Sequence, residues 1–388
     1  MTWTALALAA MAPVMFKGSI RVFLGTSLAL TIASCTSISK GDEAANVDRL
    51  AGRTVDIAAW ETLGTEAYKG KRDSISFADP AHGWYGTGAG DLFRTQDAGA
   101  SWQKVASRPG TFVRAVAFLD RDNGFIGNIG TGYYPGVSDP TPLYRTRDGG
   151  ATWTPVDTGI ATIVGVCAID VLKVRRINQG VLEDRWMIHA AGRVGGPSGM
   201  LRSLDGGESW DVIDMSDKIG MITDVRFFDE RNGLVFGASD ADVAEAEGVV
   251  LATADGGQSW REVYRSGRKA EVVWKADFPS RDTGFGTVQS YDPERVTQVI
   301  IKTLDGGGNW AEMPITDNAK ARQFGIGFLN ERVGFVGTVV GGFATEDGGK
   351  TWRGVPIAPA ANKFTVVDDG SSGGAIYAIG TQVQRLQY

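Results

Sequence analysis

The chain has 388 residues, a formal net charge of −6 and a pI near 5.2. That balance argues against a basic nucleic-acid-binding stripe, and no zinc-finger, helix-turn-helix or RNA-recognition phrase accompanies it. Two histidines and two cysteines leave little material for zinc or a histidine-based triad, while the 53 glycines, about twice the usual share of roughly 7%, signal many turns.

The first element is an export signal. Lys17 and Arg21 precede the apolar run Val22 to Ala33, which is of signal length and too short for a spanning helix. The run ends in Ile32-Ala33-Ser34-Cys35, which resembles a bacterial lipobox. Residues 1–35 are therefore expected to be a signal peptide with Cys35 as the lipidated residue. This places the protein at the periplasmic face of a bacterial membrane, in the cell envelope. Basic residues begin only at Lys17, so residues 1–14 read as lying upstream of a start at Met15. Residues 36–55 read as a polar tether, and two or three acyl chains at Cys35 would hold the protein stably on a membrane. The remaining cysteine, Cys167, sits in an apolar run and reads as a buried small hydrophobe.

From residue 56 the chain repeats itself. Asp56 to Leu63 reads as a lone strand. Next comes the phrase Thr95-Gln96-Asp97-Ala98-Gly99-Ala100-Ser101-Trp102, which recurs around Asp148 and Trp153, Asp205 and Trp210, Asp255 and Trp260, Asp305 and Trp310, and Asp347 and Trp352. Asp-Gly between two apolar runs is a hairpin signal, with the carboxylate taking backbone N–H groups and the glycine a positive φ. The Trp that leaves each turn is read as a wedge between neighbouring sheets. Six copies of an acid suit six turns far better than one active site. The fifth copy carries Asn309 where the others have Ser or Thr, and Asn can still bond the turn.

A second phrase, Phe77…Gly83-Trp84, recurs as Phe118…Gly124-Phe125, Phe228…Gly233-Leu234, Phe278…Gly284-Phe285 and Phe328…Gly334-Phe335. It reads as the hairpin joining the first two strands of each unit. The third unit departs, with Leu172 to Asp184 forming an extended hairpin. After the sixth turn, Phe364 to Asp368, Ala375 to Ile379 and Val383 to Leu386 supply three strands with no fourth. A period of about 40–50 residues with several short strands per unit means propeller blades. The expected fold is all-β: a seven-bladed β-propeller of four-stranded antiparallel blades over residues 56–388, closed by one N-terminal and three C-terminal strands.

Chemistry is sparse. Neither His82 nor His189 lies near a nucleophile elbow, no nucleotide fingerprint occurs, and no ligand spacing for a metal is present, so no cofactor, metal or catalytic residue is expected. Function must then lie in the loops joining the second strand to the third and each blade to the next. The candidate partner-binding residues there are Tyr133 and Tyr134 in the longest loop, Tyr291, and Arg114, Arg193, Trp274, Arg322 and Lys363 at or near inner-strand entries. The acidic loop with Asp240, Asp242, Glu245 and Glu247 is too loosely spaced to read as a calcium site.

The repeated turns and the seven-blade closure resemble the BNR or Asp-box propellers, most of all the photosystem II stability/assembly factor-like proteins. That resemblance covers roughly residues 57–388. It implies an exported scaffold that holds other proteins, here in a non-photosynthetic bacterial setting, and it transfers no site residue. Sialidases share the boxes, but their Arg-Ile-Pro phrase is missing. The leading expectation is thus a lipid-anchored, non-enzymatic scaffold binding an unknown protein or peptide through its loop face. The alternative is a sialidase-like glycoside hydrolase or carbohydrate-binding protein, for which Asp240, Asp242, Glu245, Asp292 and Glu294 are the loop acids to test.

Overall fold

The computed structural model describes residues 50–159, 163–178, 181–370 and 373–388; the signal segment with Cys35 and the first part of the tether lie outside the described residues. Among the described residues, seven four-stranded antiparallel sheets follow one another along the chain, as the repeats require. In blade 1 the strands run outward as Ile75–Phe77, Gly83–Gly86, Asp91–Thr95 and Gln103–Ser107. Blade 7 takes Lys363–Asp368, Gly374–Ile379 and Val383–Gln387 from the C-terminal end and Glu61–Thr62 from the other end, with Glu61 opposite Arg385. The expected closure holds, and it leaves no free sheet edge between the ends. The strand expected over 56–63 shrinks to two residues. Asp56 accepts the Ala58 N–H on its side chain at 3.1 Å and the Ala59 N–H on its carbonyl at 2.9 Å, so this stretch turns instead of extending. The third blade carries the expected long hairpin, Ala168–Asn178 paired with Val181–Gly192.

Each box is a hydrogen-bonded corner. Asp97 accepts the Ser101 N–H at 2.9 Å and the Ser101 hydroxyl at 2.6 Å, while the Thr95 hydroxyl donates to Asp97 at 2.7 Å and accepts the Gly99 N–H at 2.8 Å. Asn309 replaces the hydroxyl with its amide, 2.7 Å from Asp305. These donors, led by Ser101, Ser259 and Asn309, hold the carboxyls of Asp97, Asp255 and Asp305 down to about 2.

The Trp of each box packs against the preceding blade. Trp153, 8% exposed, donates Nε1–H to the Gly150 carbonyl at 2.9 Å and clusters with Trp84 of blade 1 and Phe118 of its own. Trp210 lies edge-on to Phe125 of blade 2 at 5.7 Å. The gap between blades 6 and 7 has no box, yet Trp60 fills it, edge-on to Phe335 at 5.1 Å. Burying a Trp removes about 150–250 Å² from water.

A second tie runs between blades. The cation just before the box's first hydroxyl residue reaches the box carbonyl of the next blade. Arg145 donates to Gly207 at 2.9 Å and Lys302 to Gly348 at 2.9 Å, and Arg202 does the same to Gly256; in blade 7, which has no box, Arg385 of the third strand donates to Ala98 at 3.0 Å.

Candidate functional site

The seven inner strands surround an axial channel, and its loop-face end is plugged. The plug exists because several inner strands carry β-bulges, which leave a residue out of the ladder and re-aim it. Arg114 falls between the paired Val113 and Ala115, Trp274 between Val273 and Ala276, and Phe324 between Gln323 and Ile326. Arg114, 3% exposed, pairs with Asp73 at 2.5 Å and stacks its guanidinium over Trp274, 5.0 Å from the ring centroid. Lys71 also pairs with Asp73, and its ammonium lies 5.3 Å from the Phe324 ring. Asn362 completes the plug: its carbonyl accepts Trp274 Nε1–H at 2.9 Å and its amide donates to the Asp73 carbonyl at 3.0 Å. Burial works against the Asp73 charge, but Arg114 and then Lys71 outweigh it and hold the carboxyl below the usual range.

Above the plug stand three tyrosines exposed to almost the same degree: Tyr133 at 38%, Tyr134 at 37% and Tyr291 at 38%. Tyr134 stacks on Phe112 at 4.9 Å, and Tyr133 sits edge-on to Tyr134 at 4.8 Å. Burial pushes the Tyr134 phenol up to about 12, against the pull of Arg114. Tyr291 donates to Gln289 at 2.5 Å and lies under the Arg322 guanidinium, 4.6 Å from its centroid. The long loop bearing Tyr133 and Tyr134 is fixed from below. Asn128, fully buried, accepts the Phe112 N–H at 3.0 Å and donates to the Asp139 and Thr141 carbonyls at 2.8 and 3.0 Å. Tyr144 ties the Asp139 carboxylate at 2.7 Å. Aromatic groups held rigidly at a surface lose little entropy on binding.

The structure thus brings Arg114, Tyr133, Tyr134, Trp274, Tyr291 and Arg322 to one mouth, with Arg114 and Trp274 in the plug and the others around it. Arg193 borders the same mouth, but its donors are committed: Nε to Gly196 at 2.9 Å, Nη1 to Ile129 at 3.2 Å and to Thr131 at 2.6 Å. It braces the tyrosine loop. Lys363 lies apart, deeper in the channel, among Asp170, Asp224, Lys275 and Asp277; burial, then Lys275, pulls its ammonium down to about 8.

Sequence reasoning missed the channel carboxylates. Asp170 accepts the Phe227 N–H at 2.7 Å, Asp224 the Ala276 N–H at 3.0 Å and Asp277 the Phe328 N–H at 2.6 Å, each tying one inner strand to the next. Only their recurrence near inner-strand positions could have flagged them. The loop acids are local. Asp240 accepts the Asp242 N–H at 2.8 Å, Asp242 the Ala244 N–H at 3.0 Å, Asp292 the Glu294 N–H at 2.9 Å, and Glu245 pairs with Lys269 at 2.5 Å. Among the described residues no group of three or more His, Cys, Asp or Glu side chains is arranged to hold a metal. His189 is fully buried, stacked on Phe227 at 3.5 Å, and burial lowers it to about 3, so it stays neutral.

This geometry defines a seven-bladed propeller of the Asp-box kind with a plugged, tyrosine-rimmed loop face. No family model matches the chain. A curated xyloglucanase from Paenibacillus sp is 37% identical over 90 residues, 19% of this chain; the match spans 9% of that enzyme. Among solved structures, YCF48 bound to a D1 peptide superposes with a TM-score of 0.57 at 16% identity, covering 86% of this chain and 98% of that one. A GH74 enzyme of Niastella koreensis gives a TM-score of 0.52 at 15% identity, over 80% of this chain and 51% of its own. The chain therefore spans about half of the GH74 enzyme, and at such identities the shared feature is the fold.

Proposed function

We propose that this propeller is a non-enzymatic scaffold that binds a protein or peptide through its loop face. The carrying observation is the tyrosine rim. Three phenols stand in part exposed above a channel end that Arg114, Asp73, Lys71 and Trp274 close, so the face offers a contact surface. Tyr, Trp and Arg are the groups enriched among binding hot spots. A shared fold with YCF48, solved with a peptide bound, is in keeping with this role. The reading includes export, lipidation at Cys35 and residence at the periplasmic face of a bacterial membrane.

Carbohydrate binding or hydrolysis is the second reading, favoured by the xyloglucanase match. Against it, four of the five loop acids are engaged in their own turns or a lysine pair.

Crosslinking followed by co-purification from membranes tests the scaffold reading. A discrete partner should be retained by the wild type and lost by the Tyr133→Ala, Tyr134→Ala, Tyr291→Ala triple variant. Retention by both, or by neither, contradicts it. Mass spectrometry of the mature N-terminus tests the anchor; an unmodified cleaved end would refute it.

A further inference from the structure

The six boxed blades can be compared position by position, and blade 6 stands apart. Two residues after each box Trp, the outer strand faces a residue of the third strand. Lys104 faces Phe93, Pro155 faces Tyr144, Val212 faces Leu201, Glu262 faces Leu251 and Glu312 faces Ile301. All five of these third-strand residues are buried. In blade 6 the same position is Gly354, opposite Phe343, and Phe343 is left partly exposed.

The backbone does not ask for this glycine. A Cβ on the neighbouring Gly342 would meet Ile357 at 2.5 Å, but one on Gly354 would meet nothing within 4 Å, and Gly354 has no positive φ. A strand glycine gives up side-chain packing, and one that neither a turn nor a clash requires fits a place where another chain comes close. The missing side chain opens a groove of about 330 Å³ lined by Val340, Phe343, Val355 and Pro356 beside Gly341, Gly342 and Gly354. Among the described residues no charged side chain lines it. The groove is continuous with the tyrosine rim. Val340 follows Val339, whose N–H donates to the Arg322 carbonyl at 2.9 Å, and the Arg322 guanidinium covers Tyr291. Val339 and Val340 are 40% and 48% exposed, so an exposed apolar pair joins the mouth to the groove.

We propose that this groove docks an uncharged, extended segment of the protein or peptide partner, with one aliphatic side chain seated on Phe343 and the backbone passing over Gly354. The proposal rests on the reading of the loop face as a partner-binding surface and adds the chemistry of the bound segment. A charged segment would lose its water in this groove and gain no counter-charge.

Three end-capped pentapeptides test this: Ser-Val-Leu-Val-Ser as the uncharged probe, and Ser-Asp-Leu-Asp-Ser and Ser-Lys-Leu-Lys-Ser as charged ones. Saturation-transfer NMR reads each against the wild type, Gly354→Lys and Val340→Asp, and thermal unfolding confirms that the variants are folded. Gly354→Lys gives blade 6 what blade 1 already has, where the Lys104 ammonium lies 5.3 Å from the Phe93 ring. The uncharged probe should bind the wild type about tenfold more tightly than either charged probe, the scale of one buried aliphatic side chain. Both variants should lose that margin. Equal binding of charged and uncharged probes, an undiminished margin in the variants, or no binding of the uncharged probe would overturn the proposal. The two readings fail separately. A partner lost with the three tyrosines, beside a probe indifferent to Gly354→Lys, sinks the groove alone. A probe held in the groove, beside a partner that the tyrosine variant still retains, sinks the tyrosine rim alone.

Discussion

The outer turns and the axis of this molecule follow opposite rules. Around the rim, one corner is built six times with the same atoms: a carboxylate, two hydroxyls or an amide, and a tryptophan against the blade before. At the plugged mouth of the axis five blades contribute five different side chains. Blade 1 gives Asp73, blade 2 Arg114, blade 5 Trp274, blade 6 Phe324 and blade 7 Asn362. Repetition marks where the chain solves one packing problem many times. Departure from repetition marks the face proposed to bind a partner.

The largest test of that contrast is Trp153→Ala. A cavity between blades 1 and 2 should cost about 3–5 kcal/mol in denaturant unfolding. A midpoint within error of wild type would show that the box Trp is not a wedge. Next is Arg145→Met, which removes one of two donors to the Gly207 carbonyl, leaving Trp210 Nε1–H at 3.2 Å, and should cost about 0.5–1.5 kcal/mol.

Acid should act on the rim as a whole. A carboxyl whose pKa is held to about 2 in the folded chain, against about 3.9 unfolded, contributes stability that is complete above about pH 4. That contribution is lost as pH falls through about 2. Melting followed from pH 5 to 2 should show a steep decline, shallower in Asp97→Asn; a flat profile would mean that the boxes carry no linked charge. The smallest effect on stability should come from Tyr133→Ala, under about 0.5 kcal/mol. A larger loss would make the rim part of the core.

The rim was legible because its physics is local. Asp97 to Trp102 lies within one turn, and the spacing of the six copies gave the blade count. Closure was legible too, through the missing outer strand after Leu386 and the spare one near Trp60. The axis was only half legible. Tyr133, Tyr134 and Tyr291 lie in loops that composition marks. Arg114, Trp274 and Phe324 reach the mouth because of bulges, and a bulge is decided by pairing across strands. The carboxylates Asp170, Asp224 and Asp277 accept N–H groups from strands about 50 residues further along the chain. Arg193 has the composition of a contact residue and is spent on three carbonyls, which sequence spacing does not encode.

The division between a structural rim and a working face can be measured in one experiment. A photo-crosslinking residue is placed singly at Tyr133, at Tyr291 and at the exposed box position Gln258, and each variant is irradiated in the producing cell. The account predicts discrete adducts from the two loop-face positions and none from Gln258. Adducts from Gln258 alone, or from all three positions alike, would contradict it.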